Sequence, residues 1–213
     1  MPVDGRVSRV ERERRNGHRG LALWLTGLSG AGKSTLAYSL ERALHELGLA
    51  VFVLDGDALR QGLNRNLGFS REDRSENVRR AAETAKLFVA AGMIVAAAFI
   101  SPYAADRAMA RRLFAPGDFI EIYVKCPLEE CARRDPKGLY ARARNGEIPE
   151  FTGVNAPYEP PEQPEVVVET DRETVSAATE RIVRLLIERY HLFRAGTEGF
   201  HETAVTQDDG RRR

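Results

Sequence analysis

The chain has little cysteine, no long apolar run and almost no excess charge of either sign. Its two cysteines, Cys126 and Cys131, are too few for a disulfide framework or for a zinc site of their own, which fits a reducing compartment. The longest apolar run, residues 88–100, is too short to span a bilayer and is interrupted by Gly92. Because the chain has 32 Lys and Arg residues and 31 Asp and Glu residues, it has no general positive potential that would attract nucleic acid. We therefore expect a cytoplasmic protein that binds no nucleic acid and no membrane.

Both ends of the chain are polar. Residues 1–19 are Arg-rich and lack the apolar stretch of a secretory signal, so we expect a solvated arm or a short surface helix there. Residues 195–213 contain few aliphatic side chains and are expected to be disordered. Residues 20–194 are expected to form one domain, since 213 residues with 43% hydrophobic side chains suffice for a single core.

Apolar runs alternate with helical patterns between these ends. Buried strands are predicted at residues 21–26, 51–54, 93–100, 119–125 and 165–169. Helices are predicted at residues 34–47, 70–91 and 174–190. Strands that are apolar throughout are typical of a parallel sheet covered by helices on both faces, so the fold class is α/β. Ligands of such sheets bind beyond the carboxyl ends of the strands, here just after Thr26, Leu54, Ile100 and Lys125.

A phosphate-binding loop follows the first strand. Residues 27–34, GLSGAGKS, match the pattern G-x-x-x-x-G-K-[ST], in which backbone amides and a helix N-terminus surround an anion. Lys33 supplies a charge for the β- and γ-phosphates of ATP, and Ser34 offers a hydroxyl to Mg²⁺. The loop predicts a P-loop NTPase-type parallel sheet of about five strands. The predicted nucleotide-binding residues are Gly27, Leu28, Ser29, Gly30, Ala31, Gly32, Lys33, Ser34 and Thr35.

The acidic group that normally accompanies this loop is missing from its usual place. The third predicted strand ends in Ser101 and Pro102 without an acid, and no Asn-Lys-x-Asp guanine motif is present. Asp55 and Asp57 follow the second strand instead, and strand alternation would send both side chains the same way. We assign Asp55 to Mg²⁺ and Asp57 to the acceptor hydroxyl, an arrangement that favours a small-molecule kinase.

Anion-binding side chains are concentrated after Asp57: Arg60, Asn64, Arg65, Phe69, Arg74, Asn77, Arg79 and Arg80. Arg74 and Asn77 share one helix face, Arg gives a planar fork for phosphate or sulfate, and Phe69 can stack on a base. Residues 133–161, called the lid segment below, lack a long periodic pattern and carry several arginines. A kinase needs such a segment to exclude water, and Lys137 can reach the acceptor from it.

Three runs resemble adenylylsulfate kinases: LDGDALRQGLNRNLGFSREDRSENVRR, AAFISPYAADR and RRDPKGLYARARNGEIPEFTGVNAPYE. The resemblance covers about residues 21–190. It implies transfer of the γ-phosphate of ATP to the 3′-hydroxyl of adenosine 5′-phosphosulfate, with Mg²⁺ as cofactor. It also implies a homodimer and ATP sulfurylase as a possible functional partner.

The resemblance also assigns substrate contacts. The matching positions are Asp57, Arg60, Phe69, Arg74, Asn77, Ile100, Ser101, Lys137 and Phe151. Ser101 matches a serine described in the family as a phosphoserine intermediate, but no His, Lys or acid stands beside it in sequence, which favours a hydrogen-bonding role. The candidate catalytic residues are thus Lys33, Asp55, Asp57 and Ser101.

Two positions depart from the family pattern, and two other functions stay open. Ala58 stands where Asn is commoner and Asn155 where an acid is commoner, which bears on substrate affinity and lid closure. The anion-binding residues would also serve a kinase of another small acceptor, such as a nucleoside monophosphate. A non-catalytic nucleotide sensor is the third hypothesis, although a sensor needs no acceptor base such as Asp57.

Overall fold

A computed structural model describes residues 6–193 of the chain. The strands are β1 (Leu21–Thr26), β2 (Val51–Asp55), β3 (Ile94–Ala98), β4 (Phe119–Lys125) and β5 (Val166–Glu169). The helices are α1 (Arg9–Asn16), α2 (Lys33–Glu46), α3 (Gly56–Gln61), α4 (Arg71–Ala90), α5 (Ala104–Arg111), α6 (Leu128–Arg134), α7 (Leu139–Arg144) and α8 (Val175–Tyr190). The disorder expected for residues 195–213 concerns a segment outside this described range.

The five strands form one parallel sheet in the order β2-β3-β1-β4-β5. The predicted α/β fold with about five parallel strands is confirmed. The central strand β1 pairs with β3 on one side and β4 on the other, with Leu21 opposite Ile94 and Ala22 opposite Phe119. Because the phosphate loop leaves from β1, it emerges at the middle of the carboxyl edge of the sheet.

Both faces of the sheet are buried along its central strands, as the apolar runs predict, while Phe52 and Val167 on the edge strands are 46% and 41% exposed. Alternate residues of β1 point to opposite sides: Leu21 and Leu23 belong to the core under α2 and α8, and Trp24 to the core under α4 and α5. Trp24, the only tryptophan of the chain, stacks on Phe99 and Phe119 with ring centroids 5.4 Å and 5.7 Å apart. The strands are therefore fixed from both sides, and their carboxyl ends are rigid supports for the loops that follow.

The long elements match the sequence prediction and the short helices were missed. Ser70 and Thr174 cap α4 and α8 through their side chains, so both helices begin where the sequence predicts. The helices α3, α5, α6 and α7 have six to eight residues, which is too short for an apolar period to be recognised. Strand β3 ends at Ala98 rather than residue 100, because the chain leaves the sheet there.

Within residues 6–193, no helix combines the length and the apolar character needed to cross a membrane.

The N-terminal segment forms a helix that is bound to the domain. Ser8 and Glu11 make a reciprocal capping box at the start of α1. The carboxylate of Glu13 is buried and accepts hydrogen bonds from the backbone N–H of Gly20 at 3.0 Å and from Arg9. Residues 1–19 were expected to form a solvated arm or a short surface helix, and the structure shows a surface helix at residues 9–16. Most of its side chains are exposed, while Glu13 is buried against the domain.

His18 joins this segment to the sheet in one protonation state. Its ring is fully buried, with Nδ1 2.9 Å from the carbonyl of Arg19 and Nε2 accepting the backbone N–H of Ala50 at 2.9 Å. A neutral imidazole fits these two bonds, whereas a second ring proton would oppose the Ala50 N–H. Burial lowers the pKa of His18 below its usual range.

We predict that the stability contributed by His18 is present above about pH 6.5, the ordinary histidine pKa, and is lost as the pH falls through the lower folded-state pKa. For this single proton, the free energy of unfolding changes by at most about 1.4 kcal/mol per pH unit. The free energy of unfolding is measured by urea unfolding of the wild type and of His18→Gln from neutral to acid pH. The difference between the two free energies should fall with this slope as the pH is lowered. The exposed His45→Gln is the matched control, and an identical acid slope in wild type and His18→Gln would contradict the prediction.

Candidate functional site

A cavity of about 860 Å³ lies at the carboxyl edge of the sheet. It receives residues from the loops after β1, β2, β3 and β5 and from the lid segment. The predicted residues that line it are Ser29, Gly30, Gly32, Lys33, Ser34, Thr35, Asp55, Asp57, Arg60, Phe69, Arg74, Asn77, Ile100, Ser101, Lys137 and Phe151. The structure thus brings the nucleotide residues and the acceptor residues of the sequence prediction into a single space.

Three predicted nucleotide residues, Gly27, Leu28 and Ala31, lie behind the cavity wall instead. A Cβ atom at Gly27 would lie 2.3 Å from the carbonyl oxygen of Val124, so only glycine fits there. The carbonyl of Leu28 accepts the Lys33 amine, and that of Ala31 accepts the Thr170 hydroxyl at 2.9 Å. In this structure these residues shape the loop, while Ser29, Gly30 and residues 32–35 line the cavity.

The phosphate loop ends in an open helix N-terminus. Gly32, with a left-handed φ of 99°, precedes the first residue of α2 and offers no side-chain cap. The first amides of the 14-residue helix are therefore available to an anion. Lys33 donates to the Leu28 carbonyl at 2.7 Å, and desolvation lowers the pKa of its amine to about 8. A phosphate bound beside this amine would stabilise its positive charge, which burial has deprived of hydrating water.

Ser34 and Asp55 form an oxygen pair beside the loop. The Ser34 hydroxyl donates to Oδ2 of Asp55 at 2.6 Å, while Oδ1 of Asp55 accepts the backbone N–H of Asp57 at 2.9 Å. A hydroxyl and a carboxylate are hard oxygen ligands of the kind Mg²⁺ binds. Within residues 6–193, no group of three or more His, Cys, Asp or Glu side chains is arranged to hold a metal ion.

Asp57 reaches the cavity by a different route from the one predicted. The strand ends at Asp55, which is the N-cap of α3, and Asp57 lies in the first turn of that helix. Strand alternation therefore does not orient the pair, and that part of the prediction is wrong. The carboxylate of Asp57 pairs with the amine of Lys137, and both side chains are more than half exposed. Asp57 and the lid segment are therefore in direct contact.

The acceptor side is built on helix α4. Arg74 and Asn77 lie on one helix face, as predicted, and each is 8% exposed. The guanidinium carbons of Arg60 and Arg74 lie 4.4 Å and 5.7 Å from the ring centroid of Phe69, which is itself exposed. Arg74 also donates to the Phe69 carbonyl at 2.8 Å. Two cations and an aromatic ring thus form a surface suited to an anionic aromatic ligand such as a nucleotide.

The Ser101 hydroxyl is held within the protein. It accepts the indole N–H of Trp24 at 3.1 Å and donates to the Thr26 hydroxyl at 3.0 Å, and Thr26 in turn donates to the Ile100 carbonyl at 2.7 Å. Neither partner of the hydroxyl is a base, and the residue is 3% exposed. This geometry supports a hydrogen-bonding role for Ser101 and gives no activation for a phosphoserine intermediate.

The lid segment contacts both halves of the cavity. The Tyr140 hydroxyl donates to the Ser29 carbonyl at 2.8 Å, and the Glu150 carbonyl accepts a hydrogen bond from Arg74 of α4 at 2.5 Å. Within the segment, the Tyr140 ring meets the edge of Phe151 at 5.0 Å between centroids. The longest helix wholly within the segment, α7, has six residues, in agreement with the missing periodic pattern. Asn155 accepts the backbone N–H of Phe151, so this departure from the family pattern organises the turn that presents Phe151.

Several cavity residues were not predicted. Thr170 and Glu173 follow β5, whose carboxyl end the prediction left out, although the same strand-end rule points there. Arg134, one of the lid arginines, donates to the hydroxyl and the carbonyl of Thr170 at 3.1 Å and 2.8 Å, which fixes this wall. Both cysteines are buried and unpaired, as expected for structural thiols.

Comparison with known proteins places this geometry in a family. The family model described as Adenylylsulphate kinase matches residues 19–169. The Adenylyl-sulfate kinase of Staphylococcus epidermidis is 52% identical over 189 residues, covering 89% of this chain and 95% of that protein. The Adenylyl-sulfate kinase of Geotalea uraniireducens is 57% identical over 175 residues, covering 82% and 84%.

Solved structures agree. The Mycobacterium tuberculosis APS kinase in complex with AMPPNP and APS has a TM-score of 0.77 at 47% identity, covering 80% of this chain and 99% of that chain. A hexameric APS kinase from Thiobacillus denitrificans has a TM-score of 0.63 at 31% identity, covering 86% of this chain and 32% of that longer chain.

We predict that nucleoside triphosphate binding weakens as the pH rises above about 8, because Lys33 then loses its proton in the free protein and must regain it on binding. Calorimetric titration of ATP from about pH 7.5 to about pH 9.5 should show a dissociation constant that rises by at most tenfold per pH unit, with proton uptake. Lys33→Met should bind ATP weakly and without this pH dependence. The exposed Lys86→Met is the control, and a constant wild-type affinity over this range would contradict the prediction.

Proposed function

Because the chain belongs to the adenylylsulfate kinase family, we propose that its cavity transfers the γ-phosphate of ATP to the 3′-hydroxyl of adenosine 5′-phosphosulfate. The protein is an ATP-dependent kinase. The observation that carries the proposal is the convergence of the phosphate loop, the acidic pair and the anion-binding side chains of α4 on one cavity. The products are ADP and 3′-phosphoadenylylsulfate, the activated form of sulfate.

ATP binds with its β- and γ-phosphates at the N-terminus of α2. The open amides of the loop and the Lys33 amine neutralise the phosphate oxygens. Ser34 and Asp55 would hold Mg²⁺, and the hydrogen bond of 2.6 Å between their side-chain oxygens supports this assignment. The metal supplies charge neutralisation of the phosphates when it is bound.

Adenylylsulfate binds between α4 and the lid segment. Arg74 and Asn77 face its sulfate and phosphate groups from one side, and Phe69 offers its ring to the adenine. Arg60 packs against that ring and fixes its orientation. Ile100, Ser101, Lys137 and Phe151 close the remaining sides of the acceptor site.

The transfer is a direct in-line displacement. The acceptor oxygen forms a bond to the γ-phosphorus while the bond from that phosphorus to the β–γ bridging oxygen breaks, so ADP leaves with its electron pair. The Asp57 carboxylate orients the 3′-hydroxyl and takes its proton, and Lys137 balances the charge of Asp57 before the substrate binds. The lid segment keeps water away from the γ-phosphate through its contacts with the loop.

We also propose a homodimer, cytoplasmic location and supply of the acceptor by an ATP sulfurylase. The hexameric relative supports self-association of the family, and the two free thiols, Cys126 and Cys131, support a reducing compartment. Light scattering of the purified protein tests the dimer, and a monomer at micromolar concentration would contradict it.

We expect ADP formation from Mg-ATP to depend on adenylylsulfate. A coupled assay with adenylylsulfate, AMP, a sugar acceptor or no acceptor separates the three hypotheses from the sequence. Turnover only with adenylylsulfate supports the proposed function. Turnover only with another acceptor assigns a different kinase, and ATP binding without turnover on every acceptor assigns a nucleotide sensor.

Asp57→Asn should lower kcat by about 10²- to 10⁴-fold, because the amide cannot take the proton. ATP affinity should change less than about twofold, since Asp57 contacts the lid segment and not the phosphate loop. Single-turnover rates and ATP titrations check both values. Glu72→Gln, an exposed acid near the start of α4, is the control, and an unchanged kcat in Asp57→Asn would remove Asp57 from its role.

A further inference from the structure

Arg107 is a buried cation that the reaction described above does not use. It lies in α5 and is 4% exposed, and its guanidinium makes three hydrogen bonds. Nε donates to the Glu121 carboxylate at 2.8 Å, one terminal nitrogen donates to the Ser101 carbonyl at 2.8 Å, and the other donates to the Glu159 carbonyl at 2.6 Å. The ion pair with Glu121 accounts for the charge of Arg107, but it does not explain why the other two arms bind main-chain carbonyls.

The first of these carbonyls belongs to a residue with an unusual backbone. Ser101 has a φ of 39°, in the left-handed region that residues with a side chain seldom adopt. Such conformations persist where the surroundings hold them. Arg107 holds the carbonyl of Ser101 while Trp24 and Thr26 hold its hydroxyl. Because Ser101 and Ile100 line the cavity, the position of this strand exit sets one wall of the acceptor site.

The second carbonyl belongs to the end of the lid segment. The backbone N–H of Glu159 donates to the Pro102 carbonyl at 2.8 Å, and its carboxylate accepts the backbone N–H of Ala104 at 2.6 Å. Tyr158 adds a hydrogen bond to Thr26 at 3.1 Å. Glu159 is therefore tied to the chain that leaves β3, and Tyr158 to the end of β1. Arg107 lies between the lid end and the strand exit at Ser101.

We propose that Arg107 is a positioning residue, which fixes the strand exit at Ser101 and the lid end at Glu159 relative to each other and so shapes the acceptor site. This role rests on the proposed function, since it concerns the adenylylsulfate side of the cavity. A planar guanidinium with donors in a fixed fork can hold both carbonyls and the carboxylate together, whereas the single ammonium of lysine cannot.

Arg111 provides a matched control. It lies one turn further along α5 and binds Glu165 at 2.6 Å and 2.8 Å and Glu121 at 3.4 Å. It shares the acid partner of Arg107 but does not contact Ser101 or Glu159. The side chain of Arg111 is 38% exposed against 4% for Arg107, so Arg111 controls for the loss of a guanidinium beside Glu121 and not for burial.

The test compares Arg107→Lys with Arg111→Lys in the full chain. We expect Arg107→Lys to raise the KM for adenylylsulfate about tenfold, as expected for the loss of a charge-assisted hydrogen bond, with the KM for ATP within about twofold of wild type. The emission spectrum of Trp24 should shift in Arg107→Lys, because its indole N–H is bonded to Ser101. Arg111→Lys should leave both KM values and the emission unchanged.

A second variant covers the case in which Arg107→Lys does not fold. Arg107→Gln combined with Glu121→Gln removes both charges, so that neither is left buried alone. It should show the same selective rise in the KM for adenylylsulfate. A wild-type KM in a folded Arg107 variant, or an equal rise of both KM values, would overturn the positioning role. If the wild type itself does not phosphorylate adenylylsulfate, the proposed function fails, and this inference fails with it.

Discussion

The hydrogen bond between the Ser34 hydroxyl and the Asp55 carboxylate joins the two halves of the active site. Ser34 is the second residue of α2, the helix that follows β1, and Asp55 ends β2, which is separated from β1 by β3. Asp55 also accepts the backbone N–H of Asp57, so one carboxylate connects the phosphate loop with α3, the helix that carries Asp57. The relative placement of the loop and Asp57 follows from these bonds and from the rigid sheet beneath them.

The sheet makes this placement possible because both of its faces are buried. The carboxyl ends of β1, β2 and β3 are held from two sides by apolar side chains, and the loops inherit that rigidity. Trp24 contacts both the core and the cavity wall, since its ring packs on Phe99 in the core and its N–H donates to the Ser101 hydroxyl. Core packing and acceptor geometry are therefore coupled through one side chain.

Sequence reasoning recovered the parts of the protein that depend on local pattern. The strand, glycine loop and helix around Lys33 form one contiguous motif, and the apolar runs fix the strands. It was wrong about how Asp57 is directed, because a six-residue helix begins immediately after the strand and leaves no periodic signal. It missed Thr170, which belongs to no motif, because the strand-end rule was not applied to the edge strand β5. The contacts of Arg107 span chain segments more than 50 residues apart, and no local pattern encodes them.

The two ends of the described chain meet at one place. His18 forms an antiparallel bridge with Phe193, the backbone N–H of Arg19 donates to the Leu192 carbonyl at 2.9 Å, and the Arg19 side chain donates to the Tyr190 carbonyl. This junction precedes β1, so it lies at the amino edge of the sheet, away from the cavity. A circularly permuted chain with a short linker at this junction would keep the strand order and the cavity walls, and a protein fused there would be directed away from the substrates.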